Sequence, residues 1–227
     1  MVADACEDAR VPPEIVLFDL DGTLTDSATV ILDALDAGFA AHGLEPLERA
    51  HARSLLGPPF YESLPPLVGD TTALSVIAAF REHYATTMLD APLYDGMADL
   101  LRALAADGRR LAVASSKSEV YVRQIVDHHG LTDLFETVGG DELDGSLGTK
   151  ARVVERVLAR LGDPDPSRVV MVGDRLHDVV GAGEHGISCL GVRWGYAVPG
   201  ELEDAGALAI HESPTTLGAA LGLDAVG

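Results

Sequence analysis

Ile15-Val16-Leu17-Phe18-Asp19-Leu20-Asp21-Gly22-Thr23-Leu24-Thr25 runs from unbroken apolar residues straight into two carboxylates two positions apart. In an extended strand, side chains two apart point to the same side. The reading is therefore a strand over 15–20 with Asp19 and Asp21 facing one site from its C-terminal end. Two acids held that close repel unless a cation or a shared proton separates them. The simplest arrangement is a divalent metal beside a nucleophilic carboxylate. Taken alone, the stretch also reads as an ordinary Asp-Gly turn after a strand, with Asp21 capping the next element.

The 227 residues are enough for one well-filled core with a smaller insert, and 47% hydrophobic residues argue for a globular chain. A net charge of −20 argues against nucleic acid, whose phosphates are bound by clustered Lys and Arg. It also means that any phosphate site needs local positive charge from a metal or a placed cation. Lysine has nearly vanished: Lys117 and Lys150 stand against fourteen arginines, so their two positions draw notice. No apolar run approaches the ~20 residues that cross a bilayer. The N-terminus, with Asp4, Glu7 and Asp8, lacks the basic start and apolar centre of a secretory signal. The expectation is a cytoplasmic protein without a membrane partner. Cys6 reads as a thiol on a loose end and Cys189 as a small core residue, not as a disulfide.

Along the chain, strand patterns alternate with helical ones, which predicts an α/β protein with a parallel sheet covered on both faces. After the first strand, 27–42 reads as a helix with Val30, Ile31, Leu35 and Phe39 on its apolar side. From about 44 to 92, helical pieces are broken by Pro46, Pro58-Pro59, Pro65-Pro66 and Pro92, with a clear helix near 72–90 and no strand. This segment is expected to be a small helical cap, though helices that merely cover the sheet would read alike. The alternation then resumes: helix 96–106, strand 110–115, helix 118–129, strand 136–138, helix 150–161, strand 168–172, helix 176–185, strand 187–192 and a strand-helix pair over 207–221. The expected division is a core of 1–26 and 93–227 with a cap of 27–92.

Leu111-Ala112-Val113-Ala114 ends in Ser115-Ser116-Lys117, and Val169-Val170-Met171-Val172 ends in Gly173-Asp174. Open parallel sheets bind ligands at that carboxyl edge. A Ser-Ser-Lys turn opening a helix offers a hydroxyl and free N–H groups to an anion, or is a plain N-cap. Asp174 and Asp178, four apart at a helix start, are either partners of the helix dipole or metal ligands. His128-His129 reads as a solvated helix end, and His177 as a neighbour of the site.

Taken in order, Asp19-Leu20-Asp21-Gly22-Thr23, the strand ending at Ser115, Lys150 opening a helix, and Gly173-Asp174-Arg175-Leu176-His177-Asp178 resemble the four motifs of the haloacid dehalogenase-like hydrolases. The wording around Gly57-Pro58-Pro59, Val113-Ala114-Ser115-Ser116-Lys117, Gly191-Val192-Arg193-Trp194-Gly195-Tyr196 and Glu201-Leu202-Glu203-Asp204-Ala205-Gly206-Ala207 resembles the phosphoglycolate phosphatase branch and its 5'-nucleotidase relatives. The resemblance implies a Rossmann-like doubly wound sheet with a cap after its first strand. It further implies a phosphatase acting on a small phosphorylated metabolite through an aspartyl-phosphate. Asp19 would be the nucleophile and Asp21 the general acid and base. Mg²⁺ would be held by Asp19, the Asp21 carbonyl and Asp174 with help from Asp178, and the phosphoryl oxygens by Ser115 and Lys150. Asp21 argues against the metal-free dehalogenases. The absence of lysine from 27–93 argues against the phosphonate-cleaving relatives, and Ile31, where sugar phosphomutases carry histidine, argues against a mutase. Asp95 and Ser118 replace prolines usual in the branch. Two alternatives remain, a 5'-nucleotidase-type phosphatase and a non-catalytic protein that binds a phosphorylated ligand.

Overall fold

The computed structural model describes residues 12–57 and 59–223; Cys6, the acidic N-terminus and Pro58 lie outside them. The elements are, in chain order, β1 (Ile15–Phe18), α1 (Ala28–Ala41), α2 (Arg49–Ser54), α3 (Phe60–Ser63), α4 (Pro65–Val68), α5 (Asp70–Thr87), α6 (Met97–Ala106), β2 (Arg110–Ser118), α7 (Glu119–His128), β3 (Phe135–Asp141), α8 (Lys150–Arg160), β4 (Val169–Gly173), α9 (Leu176–Gly183), β5 (Ser188–Val192), α10 (Glu201–Asp204), β6 (Ala209–His211) and α11 (Pro214–Ala220).

Among the described residues, six strands form one sheet in the order β3-β2-β1-β4-β5-β6, parallel at every pairing. The continuous apolar runs result from this arrangement. A strand buried on both faces has no solvent side on which to alternate polar residues. Ile15 and Leu17 join Ala112, Ala114, Val169 and Met171 on one face. Val16 and Phe18 join Leu111, Val113, Val170 and Val172 on the other. β1 lies between β2 and β4, where the strand order reverses, so the crevice at its C-terminal end is the place for a ligand in such a sheet.

Between β1 and β2 the described residues contribute no strand to the sheet. α1 spans two cores: Ile31, Leu32 and Ala34 pack with the sheet, whereas Leu35 and Phe39 pack with Leu64, Ala73, Val76 and Ile77 of α5 and its neighbours. Gly38 makes the α1–α5 approach possible, since a Cβ there would come 2.8 Å from the Val76 carbonyl oxygen.

Two expectations need correction. β2 continues through Ser118, so Ser115-Ser116-Lys117 is extended chain at the strand end and does not open the helix; pairing of Ser118 with Asp141 across a register shift prolongs it. Asp174 precedes α9 rather than lying on it, and only Asp178 is helical. Cys189 is buried and free, as read. No helix of the described residues is long and apolar enough to cross a membrane.

Candidate active site

β1 ends at Phe18, so the same-face rule for a strand does not by itself bring Asp19 and Asp21 together. Asp19 is tied to the adjacent strand, its N–H donating to the Val172 carbonyl at 2.9 Å, which keeps the tips of β1 and β4 level. Asp21 stands in a turn closed by Gly22 N–H to the Thr25 carbonyl and Thr25 N–H to the Leu20 carbonyl, each 2.9 Å. Gly22 has φ +82°, and a Cβ on it would lie 2.2 Å from Asp174 Oδ2. Only glycine lets this turn rest on that acid.

Asp19, Asp174 and Asp178 each offer a carboxylate oxygen within 4.8 Å of the others. Asp174 is fully buried; it accepts from Thr23 Oγ1 at 3.2 Å and from the Tyr196 N–H at 2.7 Å. Asp178, at the third position of α9, accepts from the Arg175 N–H at 3.1 Å. Lys150, buried at the start of α8, lies 2.8 Å from Asp19 Oδ1 and 2.7 Å from Asp178 Oδ1. Burial pushes the Asp19 carboxyl up to about 6; Lys150 pulls it down, and Asp178 and Asp21 push it further up. Burial also raises Asp174 well above the carboxylate range, with Asp178 and Asp19 adding to the rise. Burial works against the charge of Lys150, but Asp178 and Asp19 outweigh it and hold the ammonium above its ordinary range.

Three converging carboxylates make an all-oxygen donor set suited to a hard divalent cation such as Mg²⁺. The residues present fit the ion that the sequence implies.

Lys117 is what the motifs missed. Its Nζ lies 2.7 Å from Asp21 Oδ2 and 2.9 Å from Oδ1, donates to the Tyr84 hydroxyl, and sits 4.5 Å from the centre of the Tyr84 ring. Each of the two lysines thus pairs with one acid of the opening motif. Their scarcity was the signal, but no local pattern named the partner. Ser27 Oγ donates to Asp21 Oδ1 at 2.5 Å and lies 3.0 Å from the Tyr196 hydroxyl. Trp194 Nε1 donates to the Thr23 carbonyl at 3.1 Å. Trp194 and Tyr196 therefore clamp the turn that carries Asp21. Arg175 was also unforeseen: its guanidinium donates to Glu201 at 2.6 Å and to the Leu56 carbonyl, joining the loop between the two acids to the helical segment.

Ser115 is buried; its Oγ accepts from the Lys117 N–H at 3.3 Å, and it lines the same cavity as Asp19 and Asp21. His177 is half-buried beside Arg175; burial and the Arg175 charge lower its pKa. His128 is exposed, and His129 Nε2 lies 3.0 Å from the Ala91 carbonyl.

The sequence profile of the family described as "Haloacid dehalogenase-like hydrolase" matches residues 16–192. Among curated proteins, "Tyrosine-protein kinase PtkA" of Mycobacterium tuberculosis (strain ATCC 25618 / H37Rv) is 43% identical over 81% of this chain and 63% of its own length. The chain thus spans about 63% of that relative. A "5'-nucleotidase" of Pseudomonas aeruginosa is 33% identical over 86% of this chain and 89% of its own. A "Phosphoglycolate phosphatase" of Rhodospirillum rubrum is 33% identical over 95% and 93%. The crystal structure of a predicted phosphatase from Clostridium acetobutylicum superposes with a TM-score of 0.86 at 32% identity, covering 92% of this chain and 98% of that one.

Proposed function

Because the chain belongs to the haloacid dehalogenase-like hydrolases, we propose that it is a phosphatase that hydrolyses a phosphomonoester of a small soluble metabolite, in the cytoplasm, through an aspartyl-phosphate. The observation that carries the reading is the convergence of Asp19, Asp174 and Asp178 on one point with Lys150 among them. Asp19 attacks phosphorus in line, so one difficult displacement becomes two easier ones. Asp21 gives a proton to the departing alcohol and then takes one from the attacking water. Ser115 and Lys150 hold the phosphoryl oxygens, a matter of position and charge. Asp19, Asp174 and the Asp21 carbonyl, with help from Asp178, would hold Mg²⁺, which would supply charge that offsets the repulsion between an acid nucleophile and an anionic substrate. Residues 27–92 act as a cap over a core made of 1–26 and 93–227.

Phosphoglycolate is the substrate class suggested by the Rhodospirillum relative, and a nucleoside 5'-monophosphate the one suggested by the Pseudomonas relative. The identity with PtkA supports a second reading, in which the phosphoryl group passes to a tyrosine hydroxyl instead of water. Release of phosphate from p-nitrophenyl phosphate, abolished by EDTA and by Asp19→Asn, is the expected result. A folded wild type that releases none would leave a phospho-ligand-binding protein. Label moving from ATP to protein tyrosine, with none in free phosphate, would favour the transferase.

A further inference from the structure

The wall of the cavity beyond the reactive acids is unlike what a small dianion needs. A space of about 150 Å³ adjoins Asp19, Asp21 and Ser115. Its far side is built from Phe60, Phe80, Tyr84 and Tyr121 with Ile31 and Ile77. The rings form one array: Phe80 and Tyr84 are stacked at 5.3 Å, Phe60 meets Phe80 edge-on at 5.0 Å, and Tyr121 meets Tyr84 edge-on at 5.7 Å.

The charged groups on the lining are already engaged. Lys117 is bound to Asp21 and Tyr84. Arg81 lies 5.2 Å from the centre of the Tyr61 ring and donates to the Leu143 carbonyl. Asp141 Oδ1 accepts from the Glu142 and Leu147 N–H groups, and Glu142 pairs with Arg156 at 2.7 Å. Beyond the phosphoryl position, a carboxylate on the substrate would meet two further acids, Asp141 and Glu142, and, among the described residues, a single cation, Arg81, which is set against the Tyr61 ring. A flat apolar group would meet ring faces and edges, which favour offset and edge-on aromatic neighbours. A space of this size beside the aromatic wall has room for one benzene-sized ring; a ribose with its base is larger and would extend past the rings toward the open, polar side of the cavity.

Building on the phosphatase reading, we infer that the alcohol part of the substrate carries a single aromatic ring, placed among Phe80, Tyr84 and Tyr121. Glycolate and nucleoside are then poorer leaving groups for this site by fit, not by reactivity.

The test compares kcat/KM for benzyl phosphate, 2-phosphoglycolate and AMP with Mg²⁺ present; all three leave as primary alkoxides, so leaving-group chemistry does not decide the order. Benzyl phosphate is expected to lead by at least tenfold. Calorimetry is expected to show benzylphosphonate, which cannot be hydrolysed, binding at least tenfold more tightly than methylphosphonate. Phe80→Leu and, on a different element, Tyr121→Leu should each shrink that binding ratio at least threefold. Phosphoglycolate or AMP in the lead, or a binding ratio untouched in a folded variant, would overturn the inference and leave the hydrolase standing. Release from none of the three would overturn the hydrolase reading itself.

Discussion

Replacing Lys150 by methionine keeps the length of the side chain and removes one charge from among three acids. Nζ is 2.8 Å from Asp19 and 2.7 Å from Asp178. At an effective dielectric constant of about 20, each contact is worth roughly 6 kcal/mol of Coulomb attraction, before the ammonium's desolvation is set against it. Removing one partner of a buried pair costs about 3–5 kcal/mol net, because the other charge is left uncompensated. In EDTA at pH 7.5, Lys150→Met is therefore expected to lose about 3–5 kcal/mol in urea unfolding. With a slope of about 3 kcal/mol/M the midpoint falls by about 1–1.7 M.

The loss depends on pH with a definite sign. Asp19 titrates at about 6 in the folded chain against an ordinary 3.8. An acid raised on folding favours the native state when protonated, and that advantage is lost as pH rises through 6. Without Lys150 the carboxyl rises further, so at pH 5 it is neutral and no longer needs the ammonium. The deficit between variant and wild type should shrink at pH 5, and shrink at pH 7.5 on adding Mg²⁺. Equal deficits at the two pH values in EDTA would show that Lys150 stabilises through its buried stem and would refute the electrostatic account.

Asp21→Asn should cut turnover on p-nitrophenyl phosphate by about 10²–10⁴-fold, the range for a lost acid-base group, while Mg²⁺ affinity by calorimetry stays within about threefold; lost metal binding would contradict the role given to its carbonyl. Gly195→Ala would put a Cβ 2.3 Å from Asp174 Cβ and 2.4 Å from the Gly22 carbonyl oxygen. Neither can swing aside, so a loss of about 1–3 kcal/mol is expected, with weaker Mg²⁺ binding; an unchanged Mg²⁺ titration would show that Asp174 does not need this close fit. Arg175→Lys cannot span Glu201 and the Leu56 carbonyl at once. Cleavage by protease within 55–60 should speed up at least fivefold, and an unaltered digestion pattern would remove Arg175 as the tie to the helical segment.

The centre of the sheet was legible because β1, β2 and β4 are buried on both faces and so are written as apolar runs, each closed by a change to small or acidic residues. Ile15–Phe18 and Val169–Gly173 could be found, and their tips named as the site, with no knowledge of what packs against them. α1 was legible as a helix but not as an element shared by two cores, since its apolar face shows only that something covers it. Ser115-Ser116-Lys117 was misread as a helix opening because the pairing of Ser118 with Asp141 that prolongs the strand is not local.

What the chain determines by itself is the order of its elements and the chemistry at the strand ends, because backbone periodicity and the cost of burying charge act over a few neighbouring residues. Which cation faces which acid was left to the tertiary structure. Lys117 reaches Asp21 across 96 positions, and Phe60, Phe80, Tyr84 and Tyr121 form one wall only when α3, α5 and α7 fold against each other. Coulomb attraction and ring packing depend on distance in space, and folding sets that distance between residues whose separation along the chain carries no trace of it.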